Sequence, residues 1–245
     1  MTATSAAAGR QGVSEGLRAF TEEVPWERRS ILEFVQRSAA SLRPGVRLLD
    51  IGSGDAPYRE LFEHVEYVTH DWEHSMHPGA RDADLIGSAD ALPVENEEFG
   101  AALMTQVLEH VPDPAAVLAE AWRVMTPGGS LFLTAPLSWE LHEMPYDFYR
   151  YTSEGLSHLL AGAGFVDIEV KARNDGFTTI AQLMRNAAAS MGRAPDGLDG
   201  ERERAAAALW RVADQIAGLA PLDAAWAFPL GYSAVALKPH DPAAQ

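Results

Sequence analysis

The sequence predicts a doubly wound α/β fold on a mostly parallel, seven-stranded sheet, and three observations carry that prediction. Short apolar runs alternate with helical stripes along residues 46–171. The first run, Val46-Arg-Leu-Leu-Asp-Ile51, passes straight into a glycine turn, Gly52-Ser-Gly54. A second run ends in a carboxylate, Asp71, about 20 residues after that turn, as in a nucleotide-binding βαβ unit.

Each element follows in order. Residues 14–42 have a helical pattern, with Ile31, Leu32, Phe34, Val35, Ala39 and Leu42 on one face and Pro44-Gly45 closing it. Phe20 and Trp26 make residues 13–44 either an arm stapled to the domain or a lid over a ligand. Val46, Leu48, Leu49 and Ile51 form the near-continuous apolar run of a strand buried on both faces. Gly52 and Gly54 permit a tight turn with a ligand against the backbone, and Pro57 suits the first position of a short helix expected over 57–64. Further strands are expected at 66–71, 84–86, 99–106 and 130–135. Asp113-Pro114 starts the helix before the fifth strand, Val117, Leu118, Ala121 and Val124 form its buried stripe, and Pro127-Gly-Gly129 ends it. Thr152 caps a helix through Gly162, and 165–171 alternates as the sixth strand. Two stripes follow: Ile180, Leu183, Met184, Ala187 and Met191, then Leu209, Val212, Ile216 and Leu219, separated by a loop at 192–200. A seventh strand at 230–238 leaves this helical pair as an insertion between the last two strands. Its apolar stripes require a cover, which is the domain's own flank, a substrate roof or a partner subunit.

Composition bounds the function. The 245 residues hold 19 basic and 35 acidic side chains, a formal charge of -16, and no cysteine. One domain is expected, divided into a flexible tail (1–12), the arm (13–44), a core (45–173), the insertion (174–228) and the last strand with its tail (229–245). The negative charge repels a phosphate backbone, so nucleic acid is not an expected partner. Without cysteine there are neither disulfides nor thiolate metal sites, which fits a reducing compartment. Residues 1–12 lack the apolar core of a signal peptide or anchor, and no later run spans a bilayer. A soluble, cytoplasmic monomer or homodimer without a membrane partner is expected.

The glycine turn separates two cofactor classes. A dinucleotide fingerprint needs a third glycine for close packing around a pyrophosphate, and Pro57 stands there. Asp50, just ahead of the first glycine, repels a diphosphate and holds a cation. This Asp50-x-Gly52-Ser53-Gly54 pattern resembles the class I S-adenosylmethionine-dependent methyltransferases, with Ala56 where many members have a third glycine. The segments Gln106-Val-Leu-Glu-His-Val111 and Val124-Met-Thr-Pro-Gly-Gly-Ser-Leu-Phe-Leu133 resemble their counterparts in the small-molecule, type 11-like members, and 141–152 resembles a segment of one bacterial subgroup.

The resemblance implies a Rossmann-like sheet with an antiparallel last strand and S-adenosyl-L-methionine as cofactor. It implies methyl transfer to an oxygen or nitrogen, less readily a carbon, of a small-molecule acceptor. Asp50, Gly52, Ser53 and Gly54 would meet the cofactor at the turn, Asp71 its ribose, Trp72 the adenine face and Gln106 the methionine part. Asp90 would take the adenine amino group and the Ala91 N–H a ring nitrogen. Trp72 is otherwise a core aromatic and Asp90 a turn residue. His142, Tyr146, Tyr149 and Tyr151 are the candidates to touch the acceptor, with His142 or a tyrosine network as a base for a hydroxyl. The other reading of that segment packs its tyrosines and neutralises Arg150 with a nearby carboxylate. His70, Asp71, Glu73, His74 and His77 invite a metal reading, but a loop ending in Pro-Gly orients nothing, so no metal is expected. Two rival functions remain: a non-catalytic cofactor-binding regulator with the insertion as its interface, and a nicotinamide-dependent oxidoreductase.

Overall fold

A computed structural model describes residues 13–192, 200–219 and 228–240, so the expected tail at 1–12 and most of the loop at 192–200 lie outside the described residues. The sheet has seven strands: β1 (Arg47–Ile51), β2 (Glu66–Asp71), β3 (Leu85–Ile86), β4 (Phe99–Thr105), β5 (Met125–Pro136), β6 (Val166–Arg173) and β7 (Gly231–Leu237). Their order is β3-β2-β1-β4-β5-β7-β6. The pairs β1–β2, β2–β3, β1–β4 and β4–β5 are parallel, whereas β7 runs antiparallel to both β5 and β6. The doubly wound sheet with an antiparallel last strand is therefore as expected. The strand order reverses between β1 and β4, and ligands of such sheets bind at the carboxyl edge beside that switch.

Alternation along the strands divides the core in two. Leu48, Ala101, Leu103 and Phe132 face α1 (Glu15–Glu23) and α2 (Pro25–Ser41), which contribute Leu17, Ile31, Phe34 and Val35. Leu49, Ile51, Ala102 and Met104 face the opposite side, against Val117, Leu118 and Ala121 of α3 (Pro114–Val124) and Leu156 and Leu160 of α4 (Ser153–Gly162). Asp113 caps α3 through the Ala115 and Ala116 amides, and Thr152 caps α4 through Gly155. The arm is two helices, broken at Val24 where Pro25 begins α2.

Three local expectations are corrected. The segment after the glycine turn forms a single 3-10 turn, Arg59–Phe62, and Pro57 precedes its cap, Tyr58. Phe62 anchors that turn by stacking on Tyr67 at 5.3 Å, and no longer apolar stripe exists to extend it. The fifth strand starts five residues early, at Met125, because the Thr126–Gly129 detour is absorbed as an irregularity between Phe99 and Ala101 of β4. In the insertion, α5 (Gly176–Met191) buries Thr179, Ala181, Gln182 and Ala188 rather than the expected stripe. The Arg185 guanidinium decides that orientation, lying 4.4 Å from the Trp26 ring of α2 and 4.5 Å from the Trp210 ring of α6 (Gly200–Ala217). Of the stripe expected on α6, Val212 and Leu219 are exposed. No helix among the described residues is long and apolar enough to cross a membrane.

Behind the arm, Arg173 at the end of β6 makes a buried pair with Glu27 of α2 at 2.8 Å and donates to the half-buried Ser30 Oγ at 3.0 Å. This pair ties α2 to the far edge of the sheet.

Candidate active site

The carboxyl ends of β1, β2, β4 and β5 converge on the glycine turn, and the backbone there is arranged unusually for a phosphate site. Gly52 N–H and Ser53 N–H both donate to the His70 carbonyl, at 2.9 and 3.0 Å, and Gly54 N–H donates to Asp71 Oδ2 at 2.7 Å. A diphosphate needs those donors, and here they are committed to the end of β2. With no long helix behind the turn, there is also no helix dipole to favour an anion. The turn suits a cationic or neutral group.

Asp50 sits behind the turn, buried, with one carboxylate oxygen accepting from Tyr67 Oη and the other unpartnered. Burial pushes its carboxyl up to about 7 against the opposing hydrogen bond from Tyr67. Gly52 has φ +70°, and a Cβ there would lie 2.6 Å from Val107 Cγ2, so the position requires glycine. Gly54 has φ +55°, and a Cβ would meet the His77 ring at 3.3 Å.

Two cavities flank the turn. The first, about 980 Å³ including its open mouth, is lined by Asp71, Trp72, Ser88, Asp90, Val107 and Tyr146 among others, a volume suited to an adenosine-sized ligand. Asp71 is buried at its floor and holds both the Gly54 amide and the Trp72 amide, the latter at 2.8 Å through Oδ1. Trp72 is half-buried with the Tyr146 ring set edge-on at 4.8 Å, so Tyr146 belongs to this cavity rather than to an acceptor site. Asp90 lines the same cavity, but the Ala91 amide donates to the Ser88 carbonyl at 3.0 Å and Ala91 is not part of the lining.

The second cavity, about 940 Å³, is lined by Phe20, Glu27, Arg28, Ser53, Gly54, Trp139 and His142, so the arm and the segment after β5 do meet above the turn. Gly52, His77, Gln106, His110 and Glu143 line both cavities and form their common wall. Gln106 is fixed there by its backbone, at φ +56° with N–H bound to Thr134 O, and by Nε2 bound to Thr134 Oγ1 at 3.0 Å. His77 Nε2 lies 3.5 Å from Glu143, which raises the imidazole's pKa and lowers that of the carboxyl.

The structure therefore brings Gly52, Ser53, Gly54, Asp71, Trp72, Asp90, Gln106, His142 and Tyr146 to the cavities. Tyr149 lines neither cavity and donates its hydroxyl to Pro112 O at 2.9 Å. Tyr151 is buried and donates to Leu108 O. Arg150 is paired with Asp147 at 2.6 Å, as the packing alternative expected. In the sequence, Glu109 and His110 carry no reading beyond packing and hydrogen bonding, and Trp139, Glu143 and Arg28 are not singled out. The Leu-Glu-His run after β4 was the available signal.

The comparisons with known proteins agree with this geometry. A family model described as a methyltransferase domain matches residues 22–170. The chain belongs to the methyltransferase domain family. Its fold is shared with S-adenosylmethionine-dependent methyltransferases of solved structure. A ubiquinone biosynthesis O-methyltransferase of Xanthomonas axonopodis pv. citri is 32% identical over 116 residues, 42% of this chain and 47% of that relative. The chain thus spans less than half the length of that relative. Among solved structures, phosphoethanolamine N-methyltransferase 2 of Haemonchus contortus with S-adenosyl-L-methionine aligns at TM-score 0.55 and 15% identity, covering 86% of this chain and 53% of that one. The [4+2]-cyclase SpnF aligns at TM-score 0.55 and 23% identity, covering 86% and 82%. At such identities these two likenesses establish the fold alone.

Proposed function

We propose that this chain transfers a methyl group from S-adenosyl-L-methionine to an oxygen or nitrogen of a small-molecule acceptor. The observation that carries the reading is the common wall: two chambers meet at Gly52, His77, Gln106, His110 and Glu143, directly over a turn whose amides are unavailable to a phosphate. Asp71 and Trp72 would hold ribose and adenine in the first chamber, with Asp90 at its rim. The second chamber would take the methionine end and the acceptor together. The unpartnered Asp50 oxygen, the unpartnered Ser53 hydroxyl and the glycine at 52 all fit a cationic ligand lying on this turn.

When bound, the sulfonium supplies an electrophilic methyl group. The chain's own contribution is alignment and exclusion of water, with α1, α2 and the segment after β5 walling the acceptor chamber. An amine acceptor needs only to arrive unprotonated. A hydroxyl must also lose a proton, and the His110 and His142 imidazoles on the chamber wall can take one; burial lowers the pKa of the His110 ring, which favours its neutral form. The formal charge of -16 steers against anionic acceptors, so a neutral or cationic molecule fits best.

Calorimetric titration with S-adenosylmethionine, S-adenosylhomocysteine and NAD tests the cofactor, and S-adenosylhomocysteine release over a panel of small phenols, alcohols and amines tests the chemistry. Tight sulfonium binding with turnover on the panel is expected. NAD binding in preference to the sulfonium would overturn the cofactor assignment, and cofactor binding without turnover would favour the regulatory alternative.

A further inference from the structure

Glu109 is fully buried in the middle of the 3-10 turn Leu108–His110, and neither of its carboxyl oxygens has a hydrogen-bond partner. Either protonation state leaves the group unsatisfied: as a carboxylate it lacks a donor, and as an acid its hydroxyl lacks an acceptor. Imidazole nitrogens stand close by. His110 Nε2 lies 3.9 Å from Glu109 Oε1, and the His142 ring stands edge-on to the His110 ring at 4.7 Å. One ligand atom from each of the three residues lies within 4.8 Å of the other two.

The tautomers are fixed by what surrounds the rings. His110 Nδ1 lies 2.6 Å from the Tyr146 carbonyl, so it carries the proton and Nε2 carries the lone pair. His142 Nδ1 lies 3.2 Å from the Glu140 carbonyl and 3.4 Å from Asp147 Oδ2, which again leaves Nε2 as the free acceptor. Two imidazoles whose Nδ1–H groups face oxygens and whose Nε2 lone pairs are open, beside an unpartnered buried carboxylate, are in the state that a metal ligand set requires.

We propose that Glu109, His110 and His142 bind one divalent cation of the zinc type at the boundary of the acceptor chamber, and that this cation takes an oxygen of the acceptor as a further ligand. Two imidazoles and a single carboxylate select a borderline cation over magnesium or calcium, which prefer all-oxygen shells. Ligands of a tetrahedral zinc-type ion at 2.0–2.2 Å stand roughly 3.3 Å apart, so the widest pair must close by roughly 1.5 Å, within reach of side-chain rotation by His142 from its loop. His110 lines both chambers and His142 the second, so the open coordination positions face the place assigned to the acceptor. This role, unlike the cation binding itself, rests on the methyltransferase reading. With the cation bound, a coordinated hydroxyl would be acidified: its O–H bond would break, the proton would leave to water at the chamber's open mouth, and the electron pair would stay on oxygen as the nucleophile's lone pair, so that the two imidazoles would act as ligands in place of a base. This departs from the expectation of no metal, whose argument rested on the His70–His77 loop and did not reach these three residues.

The test uses untagged, chelator-stripped full chain, titrated calorimetrically with Zn²⁺ alone and followed by elemental analysis after gel filtration. One retained equivalent is expected, with affinity falling about 100-fold or more in Glu109→Gln and in His142→Ala, and unchanged in His74→Ala, whose exposed ring lies outside the cluster. If Glu109→Gln does not fold, His142→Ala alone decides, since its side chain is part of no core. Absence of saturable Zn²⁺ binding, or wild-type affinity in the decisive variants, overturns the proposal. S-adenosylmethionine affinity measured on the same metal-free protein separates the two readings, because it can succeed while Zn²⁺ fails and the reverse.

Discussion

Replacing Asp71 with alanine probes the cofactor chamber at the residue that does two things there. Its carboxylate holds the Gly54 and Trp72 amides at 2.7 and 2.8 Å, and its position at the chamber floor offers the remaining lone pairs to ribose hydroxyls. Hydrogen bonds to a charged group contribute about 1.5 to 3 kcal/mol, so S-adenosylmethionine affinity should fall about 10- to 150-fold. The two orphaned amides add a stability loss of about 1 to 3 kcal/mol each at most, reduced because water reaches them through the open chamber. Calorimetric titration beside a thermal melt reads both quantities. Asp71→Asn sharpens the result, since its amide nitrogen must face a backbone donor and cannot replace the second carboxylate oxygen. An alanine variant that folds normally and binds the cofactor as tightly as the wild type would refute the ribose assignment and the reasoning behind it.

Gly54→Val should abolish cofactor binding while leaving a folded protein, because a branched side chain at φ +55° is strained and drives into the His77 ring; a titration at wild-type strength would move the site away from the turn. Tyr149→Phe should keep both cofactor affinity and turnover and cost about 1 kcal/mol of stability through the lost Pro112 contact, so a large drop in turnover would return that tyrosine to the acceptor site. The Arg150 guanidinium holds the Asp147 carboxyl down at about 2, below its ordinary 3.8. A depressed carboxyl stabilises the fold above its ordinary value and loses that contribution, about 2 kcal/mol, as pH falls toward 2. Arg150→Ala should remove this part of the acid limb in melts recorded from neutral pH downward, and an unchanged limb would count against the pair.

What could be read in the sequence was what is local. The Gly52–Gly54 turn, the Asp71 spacing and the Asp113-Pro114 cap each state their geometry within a few residues, and the alternation of Leu48 with Leu49 states which side chains face which layer. The helix expected after the turn failed because a glycine turn and proline signal a start without guaranteeing length. The stripe on α5 failed for a different reason: an apolar count takes no account of a guanidinium held between Trp26 and Trp210, two rings from distant parts of the chain. His142 is marked by its company in an aromatic segment, whereas Glu109 and His110 read as packing residues because their meeting with His142 is made by two loops that follow different strands. Tyr149 and Tyr146 were indistinguishable in sequence, and only the path of the loop sends one to the Pro112 carbonyl and the other to Trp72.

The strand order also dictates when the acceptor chamber can be finished during synthesis. Arg173 is made 146 residues after Glu27, and β6, which carries it, pairs among the described residues only with β7. Until residues 231–237 leave the ribosome, β6 has no neighbour in the sheet, and the Glu27 carboxylate on α2 has no counter-charge to accompany it into the interior. The cofactor chamber, built from β1, β2 and β4, the loops that follow them and the segment from Glu143 to Phe148 after β5, is complete in sequence much earlier. A nascent chain can therefore carry its cofactor side assembled while the arm that walls the acceptor side waits for the last strand to close.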